Sequence, residues 1–495
     1  MARAALDQEI SGSLFPALNH AIWGDGGLTY PESHPLALAR SRKLDAGGTR
    51  LTYSLDGRWR WSDGRRLRAA DVAFTYRLLA DPALGLPLSA AAEKLDSVST
   101  PDDTTVVFHF RTAYPGRLFD TGVGIIPEHV YGRLPGEQLV GLPRFQETGA
   151  AGLVVSGPFR LAEWRPADRI VLTRNPDGRV TPRLDRVVIR IIPDEQTRVA
   201  ELRSGRLDVA RITSFREARR LEETQGIRLL RVRQRGFDYV AWNPGGHPAF
   251  RDVRVRHALS LGLDRDRILE ALEMSRFGEP AGGPYGSLFP DLATSSPDRP
   301  AFDPERARRL LEEAGWQDRD GDGVRERDGL VLQFELATTA GDERRESAAQ
   351  ILQDAWAAIG ARARIRLEEF GALLDRVIGR RYEAALLGWQ VGLDPDISPF
   401  WYDPEGPFNV VGYDSPEVRG AIDSARAQPT ARLAAPYWRR AGERIAADYP
   451  YAFLWFFDLP IAVGPRVRDV EVDVTGFLAG LYRWWIPPEL RTTPP

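Results

Sequence analysis

The sequence predicts an α/β protein with at least two domains. Its 495 residues exceed the length at which a single hydrophobic core usually stops growing. The first third contains short β-rich runs and tight turns, whereas helices and strands alternate from about residue 250. Hydrophobic residues make up 43% of the chain, which is enough to fill extensive cores. We therefore expect a strand-rich first part followed by an α/β part.

The first part is predicted from β-propensity and turn residues. Residues 51–55 and 105–110 are rich in β-branched and aromatic side chains, and one helix is expected between them at 69–80. A later helix is expected to begin at the N-cap residue Asp194 and to end at Gly205. These elements predict sheets joined by few helices.

The second part shows apolar residues at helical spacing, then at strand spacing. A helix is expected from the N-cap Asp303 to Gly315, and a second one covers 348–359 and stops at Gly360. A strand at 363–367 follows, in which apolar residues alternate with charges. Two further helices and a buried strand are expected at 415–427, 431–447 and 453–457.

The best candidate for a ligand site is a turn-rich acidic segment at 393–401. It follows directly on a predicted strand at 383–389. In open α/β sheets, ligands bind beyond the carboxyl ends of strands, so this segment lies where a ligand is expected.

Composition excludes several classes of function. With 66 basic and 69 acidic side chains, the chain has a net charge of −3, which predicts no nucleic-acid partner and no anionic membrane surface. The absence of cysteine excludes disulfides, thiol catalysis and cysteine-held metals. The six histidines show no paired spacing, so we expect no metal site and no cofactor.

The sequence also shows no recognisable targeting signal. No run approaches the roughly 18 apolar residues of a membrane helix. The N-terminus lacks the apolar stretch of a signal peptide and the cysteine of a lipoprotein anchor. We expect that a targeting segment is not present in this chain; a cytosolic protein is the alternative.

Four stretches in family order resemble the bacterial extracellular solute-binding proteins of the dipeptide, oligopeptide and nickel type, family 5. They are Trp59-Arg-Trp-Ser-Asp-Gly64 with Ala70-Asp-Val-Ala-Phe-Thr-Tyr76; Ser156-Gly-Pro-Phe159 with Leu184-Asp-Arg-Val-Val188 and Leu202-Arg-Ser-Gly-Arg-Leu-Asp-Val209; Trp242-Asn243 with Phe250-Arg-Asp-Val-Arg-Val-Arg-His-Ala-Leu259; and Trp389 with Asp394-Pro-Asp396. Together they span most of residues 50 to 490.

The resemblance implies a two-lobed periplasmic-binding-protein-like fold of type II, in which ligand is buried between two α/β lobes joined by crossing strands. It implies a first lobe of residues 1–241 plus 453–495, with an extra subdomain at about 37–160, and a second lobe of residues 242–452. The implied function is the substrate-binding component of an ABC importer. Its implied partners are a peptide or peptide-sized polar solute and the permease subunits; we expect an extracytoplasmic monomer that is not an enzyme.

The resemblance also implies a contact for the ligand amine. In peptide-binding members, an aspartate three residues after the tryptophan pairs with the α-amino group, but Gly392 occupies that position here. A shift in the loop could present Asp394 instead, whereas the alternative is that this carboxylate caps the following turn. The residues predicted to contact ligand are Trp389, Asp394, Asp396, Trp401, Tyr402, Tyr413, Tyr239, Trp242 and Asn243. For the aromatic residues the alternative is core packing, and for Asn243 it is local backbone hydrogen bonding.

Two alternatives stay open. The segment 318–323 places Asp318, Asp320 and Asp322 at positions one, three and five of a calcium loop, but Gly329 stands at position twelve, where a bidentate glutamate is needed. It is therefore only a weak calcium candidate. An enzyme or a regulatory sensor that reuses the same fold is the alternative function, because a fold does not dictate a function.

Overall fold

In a computed structural model of the protein, residues 9–24, 27–81, 94–134, 152–234, 236–293 and 301–491 are described. Within them, no helix combines the length and the apolar character needed to cross a membrane.

The part of the chain before residue 233 forms strands with a few helices between them. In chain order the strands are β1 (Ile22–Gly24), β2 (Gly27–Thr29), β3 (Ala39–Leu44), β4 (Arg50–Leu55), β5 (Leu95–Asp102), β6 (Thr105–Phe110), β7 (Phe159–Arg165), β8 (Arg169–Arg174), β9 (Arg186–Arg190), β10 (Val209–Arg211) and β11 (Arg228–Val232). The helices are α1 (Ala69–Leu79), α2 (Arg117–Asp120), α3 (Glu128–Tyr131), α4 (Glu195–Arg203) and α5 (Phe215–Glu222).

These strands form separate small sheets. One is antiparallel with the order β3–β4–β6–β5, and its buried face packs with α1 and with Trp59 and Trp61. Leu51, Tyr53 and Leu55 alternate with more exposed residues in β4, as expected for a strand with one buried face. A second sheet has the order β7–β8–β9.

The part from residue 236 to 457 contains one large sheet with helices. The strands in this part of the chain are β12 (Gly236–Trp242), β13 (Gly278–Pro280), β14 (Glu326–Arg327), β15 (Leu330–Val331), β16 (Gln333–Thr339), β17 (Arg362–Glu368), β18 (Ala384–Gln390) and β19 (Tyr451–Phe457). Its helices are α6 (Val253–Leu261), α7 (Arg265–Ala271), α8 (Pro304–Glu313), α9 (Glu343–Ala357), α10 (Phe370–Ile378), α11 (Ser398–Trp401), α12 (Pro416–Arg426) and α13 (Ala431–Asp448). Short 3-10 helices lie at Pro248–Arg251, Leu481–Arg483 and Pro488–Leu490.

The large sheet has the order β13–β19–β12–β18–β16–β17, in which β16 pairs in parallel with both β17 and β18. Every residue of the central strand β12 is buried. Val240 and Trp242 enter the core on one face, whereas Tyr239 and Ala241 enter the core on the other. The sheet is thus covered on both faces, as expected for an α/β layer.

The chain passes between the large sheet and a three-stranded sheet at two connections, β11–β12 and β19–β20. After β19 the chain continues into β20 (Leu459–Val463), which lies between β10 and β11 in a three-stranded sheet. Strand β11 in turn leads into β12, the neighbour of β19 in the large sheet. We call the large sheet with its helices the second lobe, and the smaller sheets with their helices the first lobe.

The predicted boundaries at 241/242 and 452/453 fall inside β12 and β19, whose hydrogen bonds run along nearly their whole length within the large sheet. We therefore propose to place the crossings at the β11–β12 and β19–β20 connections. The predicted fold class, an α/β protein of two lobes, is confirmed.

Most predicted elements are present at the predicted places. Asp194 accepts a hydrogen bond from the Thr197 amide at the start of α4, and Asp303 does the same for the Arg306 amide at the start of α8. The helix predicted at 431–447 is α13, which continues through Pro436. Among the elements that were not predicted are strands β3, β5, β11 and β16 and helices α5, α7 and α10.

Candidate functional site between the two lobes

A cavity of about 910 Å³ lies between the two lobes. Its first-lobe wall comes from residues 28–32, 42–51 and 115–119, and its second-lobe wall from 288–292, 393–395 and 429–439. Ligand pockets usually measure roughly 300–1,000 Å³. The cavity is therefore large enough for a ligand of several residues and is bounded by both lobes.

The acidic loop after β18 forms part of this wall and is held by its own hydrogen bonds. Asp394 Oδ1 accepts the amide N–H of Asp396 at 2.9 Å, and Asp396 Oδ1 accepts the amide N–H of Ser398 at 2.8 Å. The hydroxyl of Tyr285 donates to the carbonyl of Pro395 at 2.8 Å. Asp394 thus caps the turn, as the alternative interpretation predicted.

The other carboxylate oxygen of Asp394 faces the first lobe. It lies so close to Gly116 that a Cβ at that position would come within 2.3 Å of Oδ2. Burial, with a contribution from Asp396, raises the pKa of Asp394 to about 6, while Lys94 opposes the shift. Glycine at 116 is therefore required for this contact between the lobes.

A second contact between the lobes is made by Arg117, which is 4% exposed. Its Nη1 donates to the carbonyl of Gly48 at 2.6 Å, and its Nη2 donates to the carbonyl of Pro429 in the second lobe. Gly48 has a φ of +68°, and a Cβ there would lie 3.4 Å from Cβ of Pro429. The lobes therefore meet closely beside the cavity.

The remaining wall combines apolar side chains with arginines. Leu44 and Phe119 remain 38% and 36% exposed where they line the cavity. Arg42 Nη2 donates to the carbonyl of Tyr30 at 2.8 Å, and Arg439 Nε donates to the carbonyl of Asp291 at 2.8 Å. Both guanidinium groups are anchored by main-chain oxygens and retain further N–H donors.

Of the nine predicted ligand residues, only Asp394 lines this cavity. Four of the predicted aromatic residues lie away from the cavity because they pack against one another within the second lobe. Tyr239 and Trp401, which are 0% and 1% exposed, pack on the ring of Tyr451 with centroid distances of 4.1 and 4.7 Å. Trp389 Nε1 donates to the Tyr451 hydroxyl at 3.2 Å, and Tyr413 packs edge-on against Trp401. Tyr239 and Trp401 thus belong to the core of the second lobe, in line with the alternative interpretation, and Trp389 and Tyr413 are partly buried against it.

The other four predicted ligand residues are buried or have polar partners within the second lobe. Trp242 is fully buried, and Asn243 Nδ2 donates to the carbonyls of Tyr382 and Arg380 at 2.6 and 2.9 Å. Asp396 Oδ2 pairs with Arg426 at 3.4 Å. A hydrogen bond to Asp423 raises the pKa of Tyr402.

The cavity residues outside the loop at 393–395 were not predicted from the sequence. Arg42, Arg117 and Arg439 belong to distant segments, so no local spacing marks them as neighbours. Pro436 offered one signal, because a proline inside an amphipathic helix is unusual, and Pro436 does line the cavity.

Metal-ligand geometry occurs once in the described residues, in the segment 318–326 that contains the predicted calcium loop. Carboxylate oxygens of Asp318, Asp320 and Glu326 lie within 4.8 Å of one another, so Glu326 replaces Asp322 in the predicted set. Asp318 already accepts the amides of Gly321 and Gly323 at 2.8 and 3.0 Å. A calcium site here remains a prediction.

Two of the six histidines come together despite their unpaired spacing. His20 and His34 stack with a centroid distance of 3.9 Å and an interplanar angle of 7°. Burial lowers the pKa of both rings, that of His34 to about 3. The pair therefore stays neutral and packs as two uncharged rings near neutral pH.

Comparison with known proteins relates the chain to transport proteins. The family described as bacterial extracellular solute-binding proteins, family 5 Middle, matches residues 35–408. The oligopeptide-binding protein AppA of Bacillus subtilis (strain 168) is 27% identical over 465 residues, covering 91% of this chain and 83% of that protein.

Solved structures share the fold. The oligopeptide-binding protein AppA from Bacillus subtilis, in complex with a nonapeptide, has a TM-score of 0.76 at 25% identity and covers 97% of this chain and 94% of its own. NikZ from Campylobacter jejuni, in complex with Ni(L-His), has a TM-score of 0.78 at 21% identity, with coverages of 95% and 94%. Because the family match spans well over half of the chain, this protein belongs to the bacterial extracellular solute-binding proteins of family 5.

Proposed function

We propose that this protein is the solute receptor of an ABC importer and that it binds a peptide or a peptide-sized polar solute without changing it chemically. The observation that carries the proposal is the cavity of about 910 Å³ walled by both lobes. The family assignment and the relationship to AppA, an oligopeptide-binding protein, support it.

The mechanism follows from the position of the cavity. A ligand that contacts both walls stabilises the closed arrangement by its differential affinity for that arrangement. Closure also forms the contacts of Gly116 with Asp394 and of Arg117 with Pro429. We propose that membrane permease subunits read the closed form, and that the receptor works outside the cytoplasm as a monomer.

The direct test is to denature the purified protein, identify any released solute by mass spectrometry and measure its binding by calorimetry. We expect a peptide or similar solute that binds at micromolar concentration or tighter. The absence of any such solute, together with turnover of a substrate, would contradict the receptor role.

A cavity-filling variant locates the site. Ala435 is half-buried and lines the cavity on α13, so A435W should abolish binding by occupying ligand volume. Ala447 lies exposed on the same helix and is not part of the wall, so A447W is the matched control. Circular dichroism checks that both variants are folded; equal binding by both would exclude this cavity.

A further inference from the structure

Three of the four arginines that line the cavity have an unusual set of partners. Arg42 and Arg439 donate to main-chain carbonyls, and Arg432 has no hydrogen bond or ion pair with any described residue. None of the three forms a salt bridge with a carboxylate in the described chain. Each guanidinium has five N–H donors in a planar fork that matches a carboxylate. Three positive groups of the cavity wall therefore keep donors available for an anion.

The three arginines face the cavity from opposite sides. Arg42 lies on β3 of the first lobe, whereas Arg432 and Arg439 lie on α13 of the second lobe. Their spacing of two helical turns places Arg432 and Arg439 on the same face of α13. An anionic ligand group can therefore interact with either lobe.

The acidic residues that could receive an ammonium group already have contacts within the protein. Asp394 Oδ1 accepts the amide of Asp396, and Oδ2 lies against Gly116. Asp396 is occupied by Ser398 and Arg426. The other acidic residues of the wall, Glu32 and Asp291, are exposed to water, as Arg432 and Arg439 are, and four arginines line the cavity against three acidic residues.

Between these charges the wall is largely apolar. Leu44 and Phe119 are exposed on the first lobe, and Leu288, Phe289 and Leu292 line the second. An apolar wall favours a ligand with apolar groups, because these groups leave water on binding.

From this arrangement we propose that the cleft selects peptides or similar solutes that combine apolar side groups with a carboxylate, and that it does not require a free amino group. Peptides with a blocked N-terminus are then as good ligands as free peptides, whereas peptides with a blocked C-terminus are poor ones. The inference rests on the proposed receptor function and specifies the ligand class of the same cavity.

The test uses the pentapeptide Leu-Ala-Phe-Ala-Leu with free ends, N-acetylated, C-amidated, and blocked at both ends. We expect N-acetylation to change the Kd little and C-amidation to weaken binding about tenfold, the effect of losing one charge-assisted hydrogen bond. Loss of binding on acetylation, with amidation tolerated, would overturn the inference.

Arginine variants test whether Arg432 is responsible for the preference for a free carboxylate. R432M should weaken binding of the two peptides with a free carboxylate and leave the amidated peptides unchanged. Arg440 lies on the same helix outside the cavity and pairs with Glu417 at 3.1 Å, so R440M is the matched control. Equal affinities of R432M, R440M and the parent protein for all four peptides would contradict the role of Arg432.

A dye experiment keeps the inference testable if the pentapeptide does not bind. The anionic apolar dye 8-anilinonaphthalene-1-sulfonate should bind more weakly to the R42M/R432M double variant than to R440M, while the uncharged N-phenyl-1-naphthylamine should not discriminate. Equal dye affinities would refute the anion preference. Failure of all peptides and natural solutes with a clear dye difference would instead refute the receptor function.

Discussion

Arg117 and Pro429 join the two lobes through a hydrogen bond from the guanidinium of Arg117 to the main-chain carbonyl of Pro429. Arg117 is almost completely buried and has no carboxylate partner among the described residues. A buried charge needs hydrogen-bond acceptors in place of water. Separation of the lobes removes one of its two carbonyl acceptors, so this contact favours the closed arrangement even without ligand.

Replacing Arg117 by methionine should therefore open the cleft. We expect R117M to increase the radius of gyration of the unliganded protein in X-ray scattering and to weaken ligand binding about tenfold, because a hydrogen bond to a charged group is lost. Arg111 is exposed nearby, so R111M is the control. Unchanged scattering and affinity in R117M would show that the contact does not contribute to closure.

Gly116→Ala tests the second contact. The added Cβ would lie 2.3 Å from Asp394 Oδ2, so closure requires a shift that costs about 1–3 kcal/mol. Affinity for the ligand should fall, while the urea midpoint of unfolding should change little if the unliganded protein can open. Gly57→Ala is the control, since its nearest neighbour would be 4.0 Å away. Equal affinity of both variants would contradict the prediction.

The carboxyl group of Asp394 predicts a pH dependence of closure. Its pKa is raised to about 6, so the closed, folded protein binds this proton more tightly than the open or unfolded chain does. The contribution of this group is complete below about pH 4, and it is lost as pH rises through about 6. We expect D394N, which keeps an Oδ1 acceptor for the Asp396 amide, to remove a change on the order of 1–2 kcal/mol in unfolding free energy.

Glu9 must be separated from this effect, because burial also raises its pKa to about 6. Urea unfolding at pH 4.5, 6 and 7.5 should show a smaller fall in stability with pH for D394N and, independently, for E9Q. If the ligand affinity of D394N depends on pH as strongly as that of the parent protein, Asp394 is not the group that links closure to protonation.

Pro436→Ala should stabilise the protein. Proline lacks the N–H that would donate to the carbonyl of Arg432, and a proline inside a helix costs about 3 kcal/mol at most sites. We expect a gain of about 1–3 kcal/mol in the free energy of unfolding, measured with urea. The control is P416A, because Pro416 occupies the first turn of α12, where proline is well tolerated. A loss of stability in P436A would show that the helix is adapted to the proline.

Local patterns account for what could be predicted from the sequence. Asp303 followed by proline, and apolar residues at helical spacing, predict α8 because capping and amphipathicity act within one element. The motifs around Trp59 and Trp389 identify the family because they recur as continuous strings. Strand β5 was missed because its exposed, polar sequence carries little β-propensity and it is held by pairing with β6.

The candidate site was predicted only in part. The sequence alone placed Asp394 in the ligand region, since it follows shortly after the carboxyl end of a predicted strand of an α/β sheet. It could not distinguish Trp389 in a cleft from Trp389 in a core, because both need a large aromatic side chain. In the structure Trp389 donates a hydrogen bond to Tyr451 and packs, partly buried, against the core of the second lobe.

The family, the two-lobed α/β class and the order of most elements can be predicted from the residues alone, since these depend on periodicity and on short motifs. Which side chains form the cavity depends on how distant segments pack together. Arg42, Arg117, Asp394 and Arg432 come from four distant segments, and their proximity results from the packing of one lobe against the other. No spacing along the chain records that packing, because it is set by contacts between segments that are far apart in the sequence.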